Sequence, residues 1–239
     1  MTKSLRDRLA TPDGKGQYVR RLFATIADRY DLVTVVLSYG RDRAWKRRLV
    51  TQAAPAAGER VLDLATGTGD IAYAMNASQA DVVGLDVTLR MIQLARLRAS
   101  PARSPRFLVG DMQALPFRDA SFDVVTTGYG LRNVSDLEGA IDEIIRVLKP
   151  GGRLWSLDFD RPSNGVVRAV YLTYLTVSGG VLGWLLHRDP DTYRYIPASI
   201  RNYPGARAVA KMMTDRGFQE AEHLPVLGGL MAIHRARRN

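Results

Sequence analysis

Apolar residues along this chain follow two rhythms that alternate. Short runs, such as Val61-Leu62 with Leu64 and Val82–Leu85, stop at glycine, aspartate or threonine, as buried strands do. Longer stretches place apolar residues at helical spacing, with Val19, Leu22, Phe23 and Ile26 as one example. The pattern predicts strands over Val61–Leu64, Asp81–Leu85, Arg106–Val109, Val124–Thr127, Arg153–Leu157, Glu220–Leu224 and Leu230–Arg235. It predicts helices over Tyr18–Tyr30, Leu32–Leu49, Asp70–Asn76, Thr88–Arg98, Leu137–Leu148 and Ala206–Arg216, with residues 1–16 disordered or loosely helical. From Val61 onward strand and helix alternate, which argues for an α/β fold with a doubly wound, mostly parallel sheet.

Val166–Leu186 stands apart, nearly charge-free and long enough to span a bilayer. Two threonines, a serine, three glycines and Arg168 speak against spanning. The expectation is a helical cap over the carboxyl edge of the sheet, its apolar face turned to a greasy ligand. A plain core helix pair is the main alternative, and a transmembrane helix comes third.

The stretch Val61–Asp70, VLDLATGTGD, carries the first chemical signal. It reads as strand, glycine turn and helix start, the place where open α/β sheets bind nucleotides. Gly67 and Gly69 let backbone approach a ligand and accept positive φ. The spacing also satisfies a dinucleotide fingerprint, so a nicotinamide-dependent reductase is a rival. Asp63 within the strand and Asp70 at the helix start disfavour a pyrophosphate, which needs that positive helix end for itself. A cationic ligand without phosphates fits better, and S-adenosyl-L-methionine (SAM) is one. Asp63, Asp86 and Asp111 each fall at or near a strand end, all expected on one edge of the sheet. Asp86 is placed to accept both ribose hydroxyls, and Asp111 with Met112 to face adenine. For any one aspartate a loop or cap role is commoner; three in register make that reading weak.

Composition narrows the partners. The chain has 239 residues and no cysteine, which excludes disulfides, zinc-thiolate sites and cysteine nucleophiles. Its three histidines, His187, His223 and His234, make no metal spacing; His223 and His234 read as surface residues and His187 stays open. A net charge of +10 calls for an anionic partner. No RNA-binding signature is present, so nucleic acid is not expected and an anionic membrane face is. Arg41, Arg43, Lys46, Arg47 and Arg48 cluster around Trp45, which suits a membrane interface; Trp45 packed inward on a solvated helix is an equal alternative. The N-terminus has no apolar signal region, so a cytoplasmic protein is expected.

The run GDMQALPFRDASFDVVTTGYGLRNVSD, followed by EIIRVLKPGG, is far more specific than the glycine turn. With it come Ala27-Asp28-Arg29-Tyr30-Asp31, Leu37-Ser38-Tyr39-Gly40 with Trp45-Lys46, Asp158-Phe159-Asp160-Arg161-Pro162, Tyr193–Pro197 with Ser199, and Gly217-Phe218. On these motifs the chain resembles the class I SAM-dependent methyltransferases. Within that class it is similar to the quinone-biosynthesis C-methyltransferases, from about Phe23 to Phe218. Ala24, Thr34 and Asp158 stand where that family is expected to have aspartate, asparagine and glutamate.

The resemblance implies a Rossmann-like, seven-stranded fold with helices on both faces and a cap insertion at about residues 160–205. It implies an N-terminal helical segment, 1–50, covering the active site of a methyltransferase domain, 51–239. It implies carbon methylation of a prenylated quinol ring, demethylmenaquinol foremost, by an enzyme peripheral to the inner face of the cytoplasmic membrane; a homodimer is left open. Thr66 and Gly128 join Asp63, Gly67, Gly69, Asp86, Asp111 and Met112 as the expected cofactor lining. Arg132, which keeps its proton in proteins, is expected to stabilise a phenolate beside Asn133. Asp158 is the expected base, and Tyr30 and Tyr195 the residues that orient the ring, although Tyr30 packed on the glycine turn is a fair alternative. Another small lipophilic or phenolic methyl acceptor, or a basic binding module without catalysis, are the competing functions.

Overall fold

Seven strands form one sheet in the order β3-β2-β1-β4-β5-β7-β6. They are β1 (Arg60–Leu64), β2 (Asp81–Asp86), β3 (Arg106–Val109), β4 (Phe122–Gly128), β5 (Leu148–Phe159), β6 (Phe218–Val226) and β7 (Met231–Arg238). β1 to β5 run parallel, and β7 lies antiparallel between β5 and β6. The computed structural model describes residues 9, 11–38, 40–99 and 104–239. Tyr39 and residues 1–8 and 10 of the expected disordered segment lie outside these.

Strands covered on both faces need apolar residues at odd and even positions, which β1 has. Leu62 and Leu64 join one core with Val125, Ile141, Ile144 and Met213. Val61 joins the opposite core with Ile71, Met75, Ile92 and Val124. Helices α4 (Asp70–Asn76), α5 (Leu89–Leu97), α6 (Leu137–Val147) and α9 (Ala206–Asp215) cover these faces. α6 shows why sequence suffices there: Ala140, Ile141, Ile144 and Val147 make one buried stripe, and Asp136 caps the start by accepting from the Gly139 N–H at 3.0 Å.

Among the described residues three helices precede β1: α1 (Pro12–Ile26), α2 (Tyr30–Leu37) and α3 (Asp42–Ala53), with a 3-10 turn at Ala27–Arg29. α1 begins earlier than expected because Thr11 caps it, accepting from the Gly14 N–H, and Pro12 suits a first helical position. The expected single helix Leu32–Leu49 is broken. Buried Ser38 accepts from the Asp42 N–H at 3.1 Å and restarts the chain as α3. Strand β5 begins at Leu148, directly after α6, and takes in Pro150-Gly151-Gly152 as an irregularity, with Gly151 at φ +74° and a register shift against β4.

The insertion holds α7 (Gly165–His187) and α8 (Tyr195–Asn202). α7 buries only the line Leu172, Leu175, Gly179 and Gly183, so it is no core helix. Gly183 is needed there: a Cβ would sit 2.4 Å from the Asp189 carbonyl oxygen. Among β7 residues, His234 is a correction. It is buried, not on the surface; it donates from Nε2 to the Ala206 carbonyl at 3.0 Å, and burial holds its pKa down to about 4.

Candidate active site

The carboxyl ends of β1, β2 and β4 and the turn after β3 surround a cleft of about 740 Å³, its mouth included. Gly67, Asp86, Asp111, Met112 and Gly128 line it, as expected, and Gly16, Val19 and Arg20 of α1 close it from above. Asp86 is nearly buried; its two oxygens accept from the Gly67 N–H at 2.9 Å and the Thr88 N–H at 2.8 Å. Burial raises its pKa, and those two backbone donors act against the rise. Asp111 pairs with Arg20 at 3.0 Å, joining α1 to the turn after β3.

Asp63, Thr66 and Gly69 do not line this cleft. Asp63 is fully buried under the turn, accepting from the hydroxyls of Thr66 at 2.6 Å and Thr126 at 2.8 Å. Burial lifts its pKa to about 6, against those two hydroxyl bonds. Its place is beneath the turn because its side chain leaves β1 toward a sheet face, one residue before the last of the strand. Gly69 starts α4 at φ +89°, where a Cβ would come 3.0 Å from the Phe107 ring. Asp63 and Gly69 build the turn, and Thr66 lines a smaller hollow beside the cleft with Tyr30, Gly67, Gly128 and Tyr129.

A second cavity, about 660 Å³ and mostly apolar, adjoins the first. Leu22 and Ile26 of α1, Val33 and Leu37 of α2, and Tyr193, Tyr195 and Ile196 of the insertion form its walls. Phe23, Tyr30, Tyr129 and Asn133 line both cavities and so make the partition between them. Tyr30 also sits over the glycine turn: a Cβ on Gly67 would lie 3.7 Å from its ring. α7 contributes no wall residue to the second cavity, contrary to the expected inward apolar face. Trp45 does line it, so the inward reading of that tryptophan holds.

Arg132 and Asn133 border the second cavity, whereas Asp158 borders neither. Asp158 is 1% exposed and accepts from Arg132 N at 3.0 Å, Arg132 Nε at 3.3 Å and Phe159 N at 2.8 Å. Burial raises its pKa, and the Arg132 charge works against that. A carboxylate so enclosed is not placed to take a proton from a ligand; it holds Arg132. Arg132 also donates to the Ser199 hydroxyl and stacks its guanidinium 4.9 Å from the Phe159 ring centre. Asn133 donates to the Tyr129 carbonyl at 2.7 Å and accepts from the Tyr195 hydroxyl at 3.0 Å, which fixes both ends of its amide.

Tyr129 is the residue that sequence reading missed. It follows β4 in the left-handed region, at φ +62°, and donates to Asp42 at 2.7 Å. Lys46 then bridges Asp42 at 2.7 Å and Asp70 at 3.0 Å, so it belongs to this network and not to a surface basic patch. The tripeptide Gly128-Tyr129-Gly130 was the signal available: an aromatic between glycines where a strand ends.

The residues present fit a SAM-sized ligand with a nucleoside at one end. Bare backbone at Gly67, Gly110 and Gly128 lets such a ligand approach, and Asp86 offers a carboxylate within the cleft. No group of histidine, cysteine or acidic residues suited to a metal occurs among the described residues.

A family model described as the ubiE/COQ5 methyltransferase family matches residues 12–238. The demethylmenaquinone methyltransferase of Thermus thermophilus is 43% identical over 216 residues, 89% of this chain and 98% of that protein. Its namesake from Deinococcus radiodurans is 41% identical over 222 residues, with 92% of each chain covered. The ubiquinone/menaquinone biosynthesis C-methyltransferase UbiE of Ectopseudomonas mendocina is 39% identical, over 92% of this chain and 89% of that one. Among solved structures, a SAM-dependent methyltransferase from Thermotoga maritima aligns with a TM-score of 0.66 at 19% identity, covering 92% of this chain and all of that one. Haemonchus contortus phosphoethanolamine N-methyltransferase 2, solved with SAM, aligns at 0.61 and 14% identity, over 82% of this chain and 52% of that one. The two structures bear on the fold, and with the sequence relatives and the site geometry they lead to one assignment: the chain belongs to the ubiE/COQ5 methyltransferase family and is a SAM-dependent methyltransferase.

Proposed function

We propose that this enzyme methylates a ring carbon of demethylmenaquinol, with the methyl donor in the first cavity and the prenylated ring in the second. The observation that carries this reading is the partition: Tyr30, Tyr129 and Asn133 face both cavities, with Arg132 beside them. The naming of the relatives supports the ring type. In the first cavity Gly67, Asp86, Asp111, Met112 and Gly128 hold the donor, and SAM supplies the methyl group when bound there.

A quinol carbon is a poor nucleophile until a phenolic proton leaves, and such a proton has a pKa of about 10. Among the described residues no carboxylate lines the second cavity, so the phenolic proton passes to water and Arg132 stabilises the phenolate left behind. The hydrogen on the methylated ring carbon leaves as a second proton to water, which restores the aromatic ring. Asp158 and Ser199 keep the guanidinium aimed. Tyr195 and Asn133 bound the ring, and Tyr30 keeps it against the partition. Holding the two reactants in line is worth about 7–11 kcal/mol in well-oriented systems. The helices before β1 act as the cover, since α1 walls both cavities.

The test is transfer of label from radiolabelled SAM to demethylated naphthoquinol and benzoquinol. Labelled menaquinol is the expected product. Transfer to a different lipophilic phenol, with neither quinol labelled, would overturn the assignment of the ring.

We also propose that the enzyme works at the inner, anionic face of the cytoplasmic membrane. α7 turns Val170, Val177, Val181, Trp184 and Leu185 outward, and α2 does the same with Leu32, Val35 and Val36. Arg41, Arg43, Arg47 and Arg48 are exposed on α3 and the turn before it. Helix α7 is long and apolar enough to cross a bilayer, but its glycine face packs on the protein, which favours a position in the interface plane. Trp184→Glu with Val177→Glu should lower co-sedimentation with anionic vesicles by roughly tenfold or more, as expected from losing two buried apolar side chains. Wild-type binding to vesicles by the double variant, or equal binding to neutral vesicles at high salt, would sink the idea.

A further inference from the structure

Lys15 lies on α1, and its Nζ donates to the carbonyl oxygen of Arg132 at 3.1 Å. It lines neither cavity, so it touches neither reactant. Among the described residues the charged groups that face it are Arg132, which repels it, and Asp158, which attracts it. Arg132 and Asp158 together sum to zero charge. A neutral pair gives a nearby phenolate little net attraction, because the carboxylate repels what the guanidinium attracts. A third charge changes that balance.

We propose that Lys15 is a positioning residue for Arg132, supplying the surplus positive charge that makes the Arg132–Asp158 pair attractive to a phenolate. The proposal rests on the reading of Arg132 as the phenolate's partner. It also ties catalysis to the cover: the surplus charge is in place only while α1 is seated. Burial and the Arg132 charge hold the Lys15 pKa down to about 8, against the pull of Asp158. Its folded pKa is thus below the ordinary lysine value, and the ammonium is present below about pH 8 and lost above it.

The experiment compares wild type, Lys15→Gln and Lys15→Arg, each loaded with SAM. Glutamine keeps a donor for the Arg132 carbonyl without the charge, and arginine keeps the charge to higher pH. In wild type kcat should fall as pH rises through about 8, while Lys15→Gln should lose kcat on the order of tenfold at pH 7 and show no such limb. Lys15→Arg should retain most of kcat and carry it to higher pH. The Arg132 Nε resonance in protein labelled with ¹⁵N-arginine gives a second readout without substrate. It should titrate near pH 8 in wild type and stay flat in Lys15→Gln. Full kcat in Lys15→Gln at pH 7, or a titration near pH 8 in that variant, would overturn the proposal. Failure of the wild type to methylate either quinol counts against the ring assignment alone, since the resonance judges Lys15 independently.

Discussion

Asp86→Ala raises the SAM dissociation constant by roughly 10- to 100-fold in calorimetry, the expected cost of one charge-assisted hydrogen bond of about 1.5–3 kcal/mol. β2 ends at Asp86, and parallel pairing with β1 sets it beside the glycine turn. Its carboxylate already accepts from the Gly67 N–H, so the acid and the turn form one unit. Alanine removes the acceptor and also loosens the turn, and both effects weaken binding. Asp86→Asn serves as control: it keeps one acceptor and should fall between the two. An unchanged dissociation constant for Asp86→Ala, in protein that still unfolds cooperatively, would refute the ribose role.

The second large effect is at Asp158. Replacing it with alanine strands the buried guanidinium of Arg132, and removing one partner of a buried ion pair costs about 3–5 kcal/mol. Chemical denaturation should report that loss. Asp158→Asn is milder, since the amide oxygen still accepts from the Arg132 backbone, but the charge that aims the guanidinium is gone. Its kcat should drop about 100-fold or more while SAM affinity stays within about threefold, because the misaiming of Arg132 outweighs the relief of the carboxylate's repulsion of the phenolate. If Asp158→Asn turned over at the wild-type rate, Arg132 would need no such anchor and the account of the second cavity would fail.

Sequence revealed most where local rules and the tertiary environment agree. The turn at Gly67, the acid at the tip of β2 and the amphipathic stripe of α6 follow from spacing alone. Asp63 shows where that reasoning fails. Its place near the carboxyl end of β1 resembles that of Asp86, but its side chain leaves the strand before the tip and is spent on Thr66 and Thr126. His234 escaped for a related reason. β7 is covered on both faces from Met231 to His234, so alternation gives no sign of which residue is inside. Lys46 reads as one more cation of a basic cluster, because nothing local tells that Asp42, Asp70 and Tyr129 lie around it. Tyr129 itself depends on a backbone conformation that tyrosine seldom adopts, which no propensity anticipates.

Helix α1 roofs the two cavities with consecutive turns. Gly16, Val19 and Arg20 cover one, Leu22 and Ile26 cover the other, and Phe23 lies over both. Its rise is about 1.5 Å per residue, so roughly 15 Å of one rigid rod spans both chambers. A displacement of the whole rod away from the sheet therefore uncovers both chambers at once. The two compartments thus share one lid, and a change that loosens the seat of that helix bears on both occupants together.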